Sequence, residues 1–143
     1  MQRNTIISVR LKGEGDPYVR IGMDDWLMFS CKLVHPQTYG FNHPLDDGEH
    51  ELWVELDRKT DADGDQHVEI ELVEIEGMRL DRVKWQGVYV PRYPEPLVSQ
   101  QADLPAERPG ETHLGWNGRW SLRFTVPVFE WIHGVEHLGW IYR

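Results

Sequence analysis

The stretch EHELWVELDRKTDADGDQHVEIELVEI, residues 49–75, decides the fold. Its first part alternates Leu52, Val54 and Leu56 with Glu51, Trp53 and Glu55. A period of two is that of a strand whose two faces meet different surroundings. Trp53 is therefore expected on the outward face. The last part begins with Val68, Ile70 and Leu72 on one face, then changes phase to Val73 and Ile75. One extra residue flips every later side chain, so a β-bulge or a crossing between sheets is expected there. The polar residues between the two parts form a turn.

Working outward, the same period recurs. Ile7, Val9 and Leu11 alternate with Ser8 and Arg10, and "YVRIGM", "DWLMFSCKLV", "MRLDRVKW", "GVYV" and "RWSLRFTV" read as further short strands. Eight or so short strands with few helical signals predict an all-β fold, an antiparallel β-sandwich or jelly roll. A chain of 143 residues suffices for a single β-sandwich domain spanning residues 1–143. Two segments depart from the pattern. The proline-rich, aperiodic residues 91–117 read as an extended arm or loop, and "VFEWIHGVEHL" after Pro127 reads as a short C-terminal helix weakened by Gly134.

Composition narrows the function classes. The 40% apolar content and seven tryptophans supply a core without disulfides or metal. Cys31, the single cysteine, sits in an apolar run and is expected to be a buried, inert thiol in a reducing interior. The first residues show no secretory signal, and no run reaches the length of a membrane helix. Of the net charge of −9, residues 46–76 hold more than the whole, with 13 acids against Arg58 and Lys59. Such a segment repels phosphate backbones, so neither nucleic acid nor membrane is an expected partner. It reads as a solvated acidic edge, a cation site or a docking face for a basic partner.

The aspartates of that segment raise the question of calcium. Asp61, Asp63 and Asp65 with Gly64 match the first half of a calcium loop, but Gln66 and Leu72 stand where an EF-hand has its glycine and its bidentate glutamate. Two readings stay open: a hairpin turn alone, or a weak structural calcium site on a β-sandwich with Asp57 or Glu69 lending an oxygen. No cofactor is required. Catalysis has no visible seat, since no G-x-S-x-G elbow, phosphate-cradling glycine loop or H-E-x-x-H helix occurs. His133 and His137, with Glu130 a turn earlier, have metal-like spacing but lack a third ligand to complete a site. Among the aromatics, Trp26, Trp120 and Trp131 are expected in the core. Trp53, Trp85, Tyr89 and Tyr93 are the candidate partner or sugar contacts.

A resemblance enters on the same residues. The strand Gly48, His50, Leu52, Val54, the polar turn, and the strand Asp65, Val68, Ile70, Val73 resemble the central strands of calcium-dependent carbohydrate-binding modules of the xylan-binding kind. The likeness covers roughly residues 5–77, and implies a jelly roll. The second half, with "YVPRYPEP" and "LGWNGRWSLRFTVPVFEWI", looks instead like short proteins of tailed bacteriophages. On that resemblance the leading expectation is a non-catalytic virion component of capsid, neck or tail, a homo-oligomer located in the virion. Its partners would be its own copies and other virion proteins. The alternative is a carbohydrate-binding module, calcium-dependent in some form, with cell-surface polysaccharide as ligand.

Overall fold

The structure, a computed structural model, describes residues 2–60, 64–76, 78–79, 83–92, 106–128 and 131. Eleven strands follow one another along these residues: β1 (Gln2–Glu14), β2 (Tyr18–Met23), β3 (Trp26–Lys32), β4 (Gln37–Asp46), β5 (Gly48–Asp57), β6 (His67–Ile75), β7 (Met78–Arg79), β8 (Val88–Pro91), β9 (Arg108–Pro109), β10 (His113–Leu114) and β11 (Gly118–Val126). They form two antiparallel sheets. Sheet one runs β10-β6-β1-β4 with β7 beside β6, and sheet two runs β3-β2-β5-β11-β8-β9. The chain is thus a β-sandwich, and a four-residue 3-10 turn at Val83–Gln86 leads into β8.

The alternation seen in the sequence becomes the core. Ile7, Val9, Leu11, Val68, Ile70, Val73 and Ile75 of sheet one meet Val19, Ile21, Leu52, Val54, Leu56, Trp120, Leu122 and Phe124 of sheet two, all essentially inaccessible to water. Removing this apolar surface from water is the main favourable term in folding. The phase change in β6 is a bulge: Arg10 faces Leu72 and Leu11 faces Ile70, so Glu71 has no opposite number. The unpaired Glu71 turns back toward Arg10, with 3.6 Å between Oε1 and Nε. Leu72, expected inward, is consequently only half-buried.

Two notches in the backbone receive large rings. Trp53 does lie on the outer face of sheet two, yet it is 4% exposed, which corrects the expectation of an outward, accessible ring. Its indole rests where a Cβ on Gly22 would come within 2.0 Å of it. The Arg119 guanidinium covers the ring at 4.1 Å. Gly87 provides the matching notch for Trp120, whose Nε1 and Cε2 would lie 2.3 Å from an added Cβ.

The stretch expected as an arm is in part fastened to the body. Ile70 N donates to Thr112 O at 2.9 Å, Gly110 N to Gly87 O at 2.9 Å and Arg92 N to Asn117 O at 2.7 Å. Asn117 brackets Lys59 with hydrogen bonds of 2.8 Å in both directions, and Lys59 Nζ reaches Gln66 O and Gly115 O. Residues 106–117, with the short strands β9 and β10, are therefore anchored to the body, because their backbone groups find partners on β6, β8, Gly87 and Lys59. Residues 93–105 lie outside the described residues. So does most of the expected C-terminal helix, though Val128 is buried and Trp131 packs against Phe124 with 6.1 Å between ring centroids.

The notch at Gly22 generates a prediction. Gly22→Ala is expected to destabilise the fold by about 1–3 kcal/mol, the usual cost of overpacking, and to alter near-ultraviolet circular dichroism as Trp53 is displaced. Denaturant unfolding of the variant beside the wild type measures both. Equal midpoints with an unchanged spectrum would show that Trp53 does not occupy that notch.

Candidate functional site

The acidic segment is less open than its charge implies. Across β5 and β11, Glu55 stands opposite Arg119 and Glu51 opposite Arg123. Arg119 Nη2 lies 3.5 Å from Glu55, Arg123 Nη1 3.5 Å from Glu49, and Arg92 3.6 Å from Glu55 and 3.5 Å from Asp57. The carboxylates of β5 already have cationic partners within the chain. An acid face awaiting a basic partner is not what this strand presents. Exposed pairs of this kind contribute only about 0–1 kcal/mol each, so they set charge balance more than stability.

Beside this ladder, on the same outer face, runs a groove of 420 Å³ lined by Gln86, Val88, Val90, Glu107, Ser121 and Arg123. Two valines give it an apolar floor, and an amide, a carboxyl, a hydroxyl and a guanidinium give it walls. That combination suits a ligand with both apolar faces and many hydroxyls. Trp85, the residue before Gln86 on the 3-10 turn, is 52% exposed, with the Lys84 ammonium 4.9 Å from its ring centroid. Of the three expected aromatic contacts among the described residues, Trp53, Trp85 and Tyr89, Trp85 is the one left open. Tyr89 is 3% exposed, points into the core beside Trp120, and donates its hydroxyl to Trp116 O. It corrects the expectation of a contact ring for a different reason from Trp53: opposite Trp120, Tyr89 takes the inward side of β8 and joins the core. Tyr93 lies outside the described residues.

Of the expected calcium segment only Gly64, Asp65 and Gln66 belong to the described residues, beside the Gly15 end of β1. Asp61 and Asp63 lie outside the described residues, as do Glu130, His133 and His137. Asp65 has a side chain 97% exposed. Nearby, a polar groove of 360 Å³ is lined by Gly15, Asp16, Tyr18, Lys32, Asp57, Arg58 and Gln66. Gln66 is buried there; its Nε2 donates to Gly15 O at 2.9 Å, while its Oε1 has no hydrogen-bond partner. An orphaned amide oxygen is a hard donor of the type calcium takes. Asp57, in contrast, accepts from Arg58 N at 2.9 Å. Among the described residues no three acid, histidine or cysteine side chains are grouped to hold a metal. The donors thus fit calcium in part, and closing such a site would need the turn aspartates. Glu69, the other acid weighed for it, instead pairs with His113 at 2.8 Å.

Cys31 is half-buried, with its Sγ 3.4 Å from Tyr39 Oη. Burial first, and then the Cys31 contact, push the Tyr39 phenol well above its ordinary pKa, so it stays protonated.

Sequence reasoning missed the far end of the sandwich. There, Asp24 in the turn between β2 and β3 gathers four bonds: its N–H donates to Glu51 O, while its side chain accepts from Glu51 N and His50 Nδ1 and its carbonyl from Trp53 Nε1. His50 Nε2 reaches Asp46 O at 2.6 Å. Only the cationic imidazole donates from both nitrogens. The clasp pins two turns to β5. The only signal in the sequence was an Asp-Asp turn 25 residues before a histidine, which no local pattern connects. The structure also places Trp26 beside this clasp, at 63% exposure, and not in the core. Trp26 pairs with Met23 and so sets off toward the interior side, but β3 is the outermost strand of its sheet and no layer closes over it.

No protein-family model matches the chain, and no curated protein matches it in sequence. Solved structures do match. The selenomethionine form of vCBM60, described as linking two families of calcium-dependent carbohydrate-binding modules by circular permutation, shares 18% identity and a TM-score of 0.59 over 82% of this chain and 89% of that one. The complex of vCBM60 with galactobiose shares 17% identity and a TM-score of 0.55, over 82% of this chain and 96% of that one. At such identities the likeness establishes the sandwich fold.

The clasp makes stability depend on pH. Burial alone lowers the pKa of His50, but the Asp46 carbonyl and the Asp24 carboxylate outweigh it and raise the value. A folded pKa above the unfolded one of about 6.5 means that the contribution is complete below about pH 6.5 and is lost as pH rises through the folded value. Urea unfolding from about pH 5 to about pH 9 should therefore show a stability gap between wild type and His50→Gln that is widest at the acid end. A gap that widens toward alkaline pH would contradict the clasp.

Proposed function

We propose that this chain is a non-catalytic carbohydrate-binding module, folded as one domain, whose ligand lies along the outer-face groove of sheet two beside Trp85. The observation that carries the reading is the likeness of the sandwich to a carbohydrate-binding module over nearly the whole of that module's length. The groove supports it, with an apolar floor and hydrogen-bonding walls, and the exposed Trp85 is the chain neighbour of its lining residue Gln86. A sugar ring presents C–H bonds on its faces and hydroxyls at its rim, so it matches a site with both characters. The virion reading has no comparable support, because neither structural neighbour is a virion component. No helix among the described residues is long and apolar enough to cross a membrane.

In this reading calcium at the 61–65 turn is structural and weak, held by Asp61, Asp63 and Asp65 with Gln66 Oε1 as an additional donor. The turn has no bidentate glutamate of the kind that completes a tight loop. Calcium should raise the melting temperature of the wild type and leave that of the Asp61→Asn, Asp63→Asn, Asp65→Asn triple variant unchanged. Equal shifts in both would remove the turn as a site.

Affinity electrophoresis tests the ligand class. The wild type is expected to be retarded in gels containing soluble galactan or xylan, and Trp85→Ala to weaken retention about tenfold, a loss of ~1.4 kcal/mol. Unimpeded migration of the wild type through a broad polysaccharide panel, with a defined oligomer seen by light scattering, would return the virion reading to first place.

A further inference from the structure

The hairpin tip carrying Trp26 has the makings of a second contact site. Its backbone is fixed unusually well for a turn. Met23 pairs with Trp26 to close the two residues Asp24 and Asp25, and Asp24 takes a φ of 51°, a left-handed conformation that aspartate tolerates. The Asp24 bonds of 2.7–2.8 Å to His50, Glu51 and Trp53, and the His50 bond to Asp46, tie that tip to β5 and to the corner between β4 and β5. A residue so held loses little further freedom when it meets a ligand. The indole itself is largely bare, with its centroid 5.8 Å from the His43 ring at a tilt of 55°, so His43 props it without stacking on it. A rigid, exposed, planar ring surrounded by polar groups is what a pyranose face requires.

Charge selects among glycans. Asp24, Asp25, Asp46, Asp47, Glu49 and Glu51 all lie in the turns and strand ends around this tip. Arg3 answers Asp47 at 3.1 Å, Arg123 answers Glu49 at 3.5 Å, Arg119 answers Glu51 at 3.8 Å and the His50 imidazolium answers Asp24 at 2.7 Å. The excess that remains is that of Asp25 and Asp46. The excess of carboxylates disfavours a polyanion such as a uronate polymer. It also disfavours a second copy of the chain on this tip, since a two-fold contact would set the same acids against each other. Bulging at Met28, where Ile21 pairs with Phe29 and Gly22 with Leu27, further spoils the edge for strand-to-strand pairing.

We infer that Trp26, held by the Asp24–His50 clasp, is a stacking platform for a neutral sugar ring, forming a contact distinct from the groove beside Trp85. The inference rests on the carbohydrate-binding reading. The two places lie on opposite edges of sheet two, four strand spacings or roughly 19 Å apart, so truncating one ring leaves the other in place.

Affinity electrophoresis of the full chain decides it, using the wild type, Trp26→Ala and Trp26→Phe in gels of neutral galactan, neutral xylan and polygalacturonate, with light scattering and thermal unfolding alongside. Trp26→Ala is expected to weaken retention by the neutral polymer at least tenfold, with melting temperature and mass unchanged, and Trp26→Phe to recover part of it. Wild-type retention matched by Trp26→Ala overturns this inference and leaves the carbohydrate reading intact. Absence of wild-type retention in every gel removes both. Preference for polygalacturonate overturns the neutral-sugar assignment, and a mass that falls on Trp26→Ala makes the ring a subunit contact instead.

Discussion

The pairing of β5 with β11 is the interaction on which the rest of the molecule depends. It joins residues 48–57 to residues 118–126 in an unbroken antiparallel register from Gly48 opposite Val126 to Leu56 opposite Gly118. On its inner side Leu52, Val54 and Leu56 stand directly against Leu122, Trp120 and the start of β11, so the same pairing that satisfies the backbone builds the centre of the core. On its outer side Glu51 and Glu55 meet Arg123 and Arg119. A slip of one residue would turn every apolar side chain to water and every charge inward, which fixes the register.

From this central ladder the functional surfaces follow. β2 hydrogen-bonds to the other side of β5 and carries the turn of Asp24; β8 hydrogen-bonds to the other side of β11 and carries the valine floor of the groove. Among the described residues the two exposed tryptophans, Trp26 and Trp85, belong to a turn end and to a 3-10 turn at opposite margins of the sheet. The rings on central strands, Trp53, Tyr89 and Trp120, are all covered. Among these described rings, exposure goes with distance from the central ladder.

The proposed binding activity and the conformational economy of the sandwich are consistent with each other. Contacts between a preformed surface and a polysaccharide require little rearrangement, and the clasp of Asp24 and His50, the bracket of Asn117 and Lys59, and the glycine notches each remove freedom before a ligand arrives. Lys59 is notable because it comes from the acidic segment yet serves as its anchor, with Nζ bonds of 2.6 and 2.7 Å to the carbonyls of Gln66 and Gly115.

The sequence by itself determined the fold class and the inward faces of β1 and β5; in β6 it marked the change of phase but left a bulge and a crossing between sheets both open, and of the β11 core it named only Trp120. What it did determine is written in a local period of two, and a strand's inward face follows from that period alone. The cover over a given ring was decided only in three dimensions. Trp53 alternates outward and is nevertheless buried, because Gly22 on a neighbouring strand leaves it a notch and Arg119 on another lies over it. Trp26 sits in an apolar run and is nevertheless bare, because its strand ended at the margin of the sheet. The β11 partners of the β5 glutamates, 64 to 74 residues away, were likewise invisible to any local reading. Periodicity reports which side of a strand a residue takes, whereas burial depends on what the other strands bring to that side.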